Sequence, residues 1–140
     1  MSQDTAAPER RSALLRAHYA VENRHDIDGI MATFAPGAVM TYNHMPFSDE
    51  DSIRQAHGTI GFFGDNGGFA GLQTFAEHEH LTADEIVVEG RVRGRHVNEF
   101  LGFAPTGRDV ELPFVGIYRF DSNGKLVSER IVMNLGPLAP

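Results

Sequence analysis

A chain of 140 residues suits one domain with one sizeable core, and a composition of 41% hydrophobic and 22% charged residues excludes a disordered chain. The formal charge of -7, with a pI near 5.4, argues against a nucleic-acid backbone or an anionic membrane as partner. There is no cysteine, which excludes disulfides and thiolate metal sites and fits a reducing, cytoplasmic setting.

The opening stretch MSQDTAAPERRS is polar and lacks the apolar run of a secretory signal, so residues 1–10 are expected to be flexible. No later run is long and apolar enough to span a bilayer. Residues 10–26, RRSALLRAHYAVENRHD, read as a helix: Leu14, Ala17, His18 and Val21 recur at helical spacing, with Leu15 and Tyr19 beside them. A second helix is expected over residues 26–35, carrying Ile27, Ile30, Met31 and Phe34, capped by Asp26 or Asp28 and stopped by Pro36-Gly37. Residues 38–46, AVMTYNHMP, read as a short strand ended by Pro46. Residues 48–63 open with Ser48, Asp49 and Glu50, the signature of a helix start.

The glycine-rich stretch GFFGDNGGFAG at residues 61–71 lacks the lysine and flanking elements of a phosphate cradle. It reads as a lid covered by Phe62, Phe63 and Phe69. Strands are expected over residues 72–84, 85–96, 110–121 and 125–134, the last two joined by the turn DSNGK. The clearest is EIVVEGRVRGRH, in which Ile86, Val88, Gly90, Val92, Gly94 and His96 share one parity and the glutamate and arginines the other. Helices first and antiparallel strands after predict an α+β fold, with helices on one face of a curved sheet of about four to six strands.

Two stretches carry a family likeness: HYAVENRHDIDGIMATFAPGAVM at residues 18–40 and VVEGRVRGRHVNEFLGFAPTGRDVELPFVGIYRFDSNGKLVSERI at residues 87–131, together about half the chain. They resemble the SnoaL-like polyketide cyclases of the nuclear-transport-factor-two-like superfamily, which also holds steroid isomerases and scytalone dehydratase. The resemblance implies a cone of curved antiparallel sheet closed by N-terminal helices around one deep pocket. It also implies a hydrophobic small-molecule substrate, no cofactor or metal, and a homodimer. Aligned by eye, the cyclases' basic aspartate falls on Ile131, and the tyrosine and two acids of the isomerases fall on His18, Tyr42 and Gly116. Any acid–base chemistry here therefore has to use other groups.

Four candidates stand out. His96 ends the apolar face of its strand; histidine as a residue type can exchange protons near neutral pH, so it either does so at the pocket mouth or holds the following NEFLGF connection by a hydrogen bond. Glu129 shares a parity with Val127, Ile131 and Met133; it is either a desolvated carboxylate of raised pKa, as a general base needs, or the ion-pair partner of Arg91 or Arg93. His44 follows Met40 and Tyr42 in parity, near the place of an isomerase acid, and either acts there or caps the strand beside Pro46. His18 sits on the apolar face of the first helix, as a core residue or a catalyst.

Tyr19, Met40, Tyr42, His78, His80, Phe114, Tyr118, Ile131 and Met133 are the expected substrate contacts. His78 and His80 in EHEH lie two residues apart on one strand face, but no third ligand appears at diagnostic spacing, so no metal is expected. Asn98 and Glu99 would border the pocket, with Phe100, Leu101 and Phe103 closing it or packing on a partner subunit. The function expected is a cofactor-free cyclase, isomerase or dehydratase acting on a hydrophobic carbonyl compound; the alternative is a non-catalytic small-molecule-binding or interaction domain of the same fold.

Overall fold

The computed structural model describes residues 7–140, so the flexibility expected for residues 1–6 lies outside the described residues. Residues 8–10 belong instead to helix α1, Pro8–Asn23, which starts on a proline that has no N–H to satisfy and carries Glu9 in its first turn. Helix α2, Ile27–Met31, is capped by the Asp26 carboxylate, which accepts from the Gly29 N–H. It is far shorter than expected. The Thr33 hydroxyl donates to the Ile30 carbonyl, and the chain turns extended at Phe34. Pro36-Gly37 does not end a helix; it lies inside strand β1, Phe34–Tyr42, where the pairing shifts register between Phe34 and Val39.

The expected strand over residues 38–46 is in fact a hairpin. Asn43 and His44 both take positive φ (46° and 72°), as a two-residue hairpin turn requires, and the chain returns as β2, Met45–Phe47. Helix α3, Glu50–Ile60, starts in a reciprocal cap between Asp49 and Ser52 and buries Ile53, His57 and Ile60. It ends at Gly61 (φ 135°), where a side chain would collide with the Phe69 carbonyl.

Four long strands follow: β3 Phe69–Leu81, β4 Glu85–His96, β5 Asp109–Phe120 and β6 Leu126–Met133. In β4 and β5 every second residue is buried, so the alternation read from the sequence holds along their length. In β6 a register shift near Phe120 puts Leu126 in the core and leaves Val127 half-exposed, while Glu129, Ile131 and Met133 keep the inner face. The six strands form one sheet in the order β2-β1-β6-β5-β4-β3.

The sheet is mixed rather than antiparallel, because β1 runs parallel to β6. After β2 the chain crosses by way of α3 to the far edge and meanders back, arriving beside β1 in the same direction. The fold is α+β, with an open sheet. Leu15 and Tyr19 of α1 and Ile53 and Ile60 of α3 join Val88, Leu112, Tyr118 and Ile131 of the sheet in one core. No described helix is long and apolar enough to cross a membrane.

Candidate active site

One helical turn separates His18 from Glu22, so both project from the same side of α1 towards the sheet. His57 reaches the same place from α3 and Glu129 from the inner face of β6. All four are buried, and one ligand-type atom from each lies within 4.8 Å of the others. His18 Nε2 is 3.1 Å from Glu22 Oε2 and 3.5 Å from Glu129 Oε1; His57 Nε2 is 3.6 Å from Glu22 Oε2.

Each imidazole is held from behind. His18 Nδ1 lies 2.8 Å from the Thr33 hydroxyl, whose proton already goes to the Ile30 carbonyl, so the histidine nitrogen donates. His57 Nδ1 lies 2.8 Å from the Ile53 carbonyl, which can only accept. Both Nε2 atoms therefore face the carboxylates, and Glu22 is steadied by the Thr74 hydroxyl at 3.0 Å.

Electrostatics divides the two acids. Burial raises Glu22, but the His18 and His57 rings outweigh it and hold this carboxyl well below the usual range. Burial raises Glu129 and prevails over the histidines, with Glu22 adding to the rise. Burial lowers both imidazoles, yet the facing carboxylates more than offset it, so His18 and His57 shift upward.

The quartet adjoins an apolar cavity of about 40 Å³, room for a few water molecules. A larger ligand therefore needs a wall to move. Glu22, His57 and Glu129 line its polar end, and His18 lies behind them. Tyr19, Met40, Tyr42, Phe114, Tyr118, Ile131 and Met133 line the remainder with Ile60 and Phe62. Tyr19 donates to the Tyr118 hydroxyl at 2.6 Å, and burial raises both phenols well above their ordinary value. Gly116, where an isomerase acid aligns, has no room for one: a Cβ there would lie 2.5 Å from the Tyr118 ring.

The other sequence candidates fall elsewhere. His96 points inward as its parity requires, yet it is not part of the cavity wall and so does not share a pocket with Glu129. Its ring stacks on Phe69 at 5.1 Å, and its Nδ1 accepts from the Thr106 N–H. Its backbone also bonds Gly107 and Arg108, which closes the connection after β4. Replacing His96 by alanine is expected to destabilise the protein by about 2–5 kcal/mol, as for other buried large-to-small changes. Turnover per folded molecule should stay within a few-fold of wild type, checked by urea denaturation and activity on the same preparation.

His44 is exposed in the β1–β2 turn, because the chain reverses there instead of continuing inward. His78 and His80 are exposed on β3, and His80 pairs with Glu89 at 2.7 Å. Neither histidine touches the cavity. Arg91 pairs with Glu77 and Glu111, and Arg93 with Glu111, so neither is the partner of Glu129. Phe69 belongs to β3, and Phe100 is buried against Phe69 and Tyr42. Asn98 and Glu99 brace the Gly67 carbonyl and the Gly102 N–H.

Glu22 and His57 were missed from sequence. The signals were present: Glu22 stands four residues after His18, and His57 interrupts the apolar spacing of Ile53 and Ile60.

A family profile described as a SnoaL-like domain matches residues 15–129. The chain belongs to the SnoaL-like domain family. No curated protein matches the sequence. AclR from Streptomyces galilaeus, a candidate hydroxylase, is 28% identical with a TM-score of 0.76 over 94% of both chains. A candidate SnoaL-like polyketide cyclase from Jannaschia sp. CCS1 superposes with a TM-score of 0.79 over 99% of both chains at 20% identity. The epoxide hydrolase/cyclase-like enzyme SalBIII, with a role in pyran ring formation in the polyether salinomycin, shares 14% identity and a TM-score of 0.75, covering 92% of this chain and 94% of its own. At such identities the last two comparisons establish the SnoaL-like fold, while the reaction depends on this chain's own cavity.

Proposed function

We propose that this SnoaL-like protein is an acid–base enzyme of the cyclase, isomerase or dehydratase type, acting on a hydrophobic carbonyl compound of polyketide, terpenoid or steroid kind. The observation that carries the reading is Glu129: its carboxylate is buried at the polar end of an otherwise apolar cavity, and Oε1 has no hydrogen-bond partner among the described residues. In this reading Glu129 takes a proton from the carbon beside the carbonyl. The Tyr118 hydroxyl, already accepting from Tyr19, keeps its own proton to donate to the developing enolate oxygen. His18, His57 and Glu22 hold the polar end in place, and no organic cofactor is required. The cyclase descriptions of the structural neighbours favour the same class.

A homodimer and a cytoplasmic location belong to the same proposal. The outer sheet face offers Val115 and Val132, paired across β5 and β6 and both exposed, for a second copy. The reaction is tested by incubating the protein with aromatic polyketides, terpenoid ketones and steroids in D₂O and following the α-carbon by NMR. Enzyme-dependent deuterium incorporation or conversion is expected. Saturable binding without exchange or conversion across the panel would favour the non-catalytic binding domain instead.

A further inference from the structure

We infer that His18 Nε2, Glu22 Oε2, His57 Nε2 and Glu129 Oε1 form a binding site for one divalent first-row transition-metal ion, zinc fitting the donors best. The inference goes beyond the proposed reaction and does not rest on it: Glu129 Oε1 acts as the base only in the metal-free chain, because the same oxygen bound to an ion is not free to take a proton. It reverses the expectation from sequence that no metal is involved. That expectation was framed around His78 and His80, which the structure leaves on an exposed strand end.

Distances come first. A tetrahedral ion bound at about 2.0–2.1 Å sets neighbouring ligand atoms about 3.3–3.4 Å apart. Three of the six separations, His18–Glu22, His18–Glu129 and His57–Glu22, are 3.1, 3.5 and 3.6 Å, and the other three are no more than 4.8 Å, so the ligands would have to close in by a few tenths of an ångström or more around an ion. Charge-assisted hydrogen bonds between imidazolium and carboxylate would draw in to about 2.7–2.9 Å. These contacts do not. His18 Nε2, His57 Nε2 and Glu129 Oε1 have no hydrogen-bond partner among the described residues, although each is within 3.6 Å of an oppositely charged type of group.

Orientation is the second argument. Both histidines are anchored through Nδ1, His18 by Thr33 and His57 by Ile53, which turns each Nε2 lone pair inward. Thr74 steadies Glu22 in the same way. Such outer hydrogen bonds are the usual companions of metal-binding imidazoles and carboxylates. Charge is the third. Two carboxylates buried together repel unless a compensating charge is present, and a divalent ion supplies it while leaving both imidazoles neutral. Imidazole and carboxylate donors without thiolate suit zinc, iron or manganese, and zinc needs only four ligands. Four protein ligands fill a tetrahedral zinc, so the ion would brace the polar end of the cavity that Glu22, His57 and Glu129 line.

The test is metal analysis of the purified full chain, followed by calorimetric titration of EDTA-treated protein with zinc chloride. One zinc per chain with a Kd of about 1 µM or tighter, and a higher Tm on loading, is the expected result. Binding should disappear in His57→Gln and Glu22→Gln. It should weaken about 10–100-fold in Thr33→Val, which removes the outer hydrogen bond to His18 together with the Thr33–Ile30 bond but no ligand, and remain unchanged in His80→Ala. Circular dichroism confirms that each variant is folded. A folded wild-type chain that takes up no stoichiometric zinc, manganese or iron(II) overturns the inference without reference to any variant. So does binding that survives in folded His57→Gln but is lost in His80→Ala, which would place the ion at the exposed His80–Glu89 pair. Zinc binding without turnover of any substrate sinks the proposed reaction alone, and turnover by a chain that binds no metal sinks the metal site alone.

Discussion

Glu129→Gln is expected to lower turnover of a true substrate by about 10²–10⁴-fold, the usual loss when a positioned acid or base is removed. The substitution keeps the size and nearly the shape of the side chain. It replaces a carboxylate oxygen, buried at 2% exposure beside Ile131 and Met133, with an amide that cannot take a proton from carbon. The amide can still fill the same place against His18, so the fold should survive. The measurement is kcat and KM on the best substrate of the panel, with circular dichroism on the same sample. A fall in kcat at unchanged KM fits a group acting in the transition state. Near-wild-type kcat in a folded variant would remove Glu129 from the chemistry and leave His57, Glu22 and the Tyr19–Tyr118 pair as the cavity's other proton carriers.

The largest stability effect should come from His18→Ala, at about 3–5 kcal/mol, the range seen when one partner of a buried ionic cluster is removed. His18 has no exposure to solvent and lies between Glu22 and Glu129 at 3.1 and 3.5 Å. Without it the two acids keep only His57 as a cationic partner, and Thr33 loses the donor to its hydroxyl. The truncation also leaves a cavity between α1 and the edge of Phe34. Urea denaturation in EDTA gives the number without any contribution from bound metal. The comparison is His80→Ala, which breaks the exposed pair with Glu89 and should cost less than about 1 kcal/mol. Equal effects from the two substitutions would show that the buried quartet contributes no special stability.

Residues 85–96 show how much could be read in advance. EIVVEGRVRGRH alternates without a break, and β4 has those same ends and a buried face carrying Ile86, Val88 and Val92. Short elements were harder. Ile27, Ile30, Met31 and Phe34 fit a helix by spacing, yet Phe34 is a strand residue because its backbone pairs with β6, far along the chain. Asn43-His44 sits inside a strand-like run of sequence, yet both residues take positive φ and turn the chain back as a hairpin.

The site divides in the same way. Parity grouped Glu129 with Ile131 and Met133 but left open whether that face was buried, and the structure puts all three on the cavity wall with Tyr19, Tyr42, Phe114 and Tyr118. It also pointed His96 inward, correctly, but inward proved to mean the loop-closing end of β4 rather than the cavity.

The succession of helices before long strands and the buried faces of β4 and β5 were determined by the sequence alone, because burial on one side of a regular element imprints a period on its own residues, and the likeness of two stretches carried the SnoaL-like family. The parallel pairing of β1 with β6 and the meeting of His18, Glu22, His57 and Glu129 were decided only by the tertiary structure. A period reports which face of an element is covered but carries no record of what covers it. Three separate elements had to pack before two histidines and two glutamates, each ordinary in its own segment, became one buried charged centre.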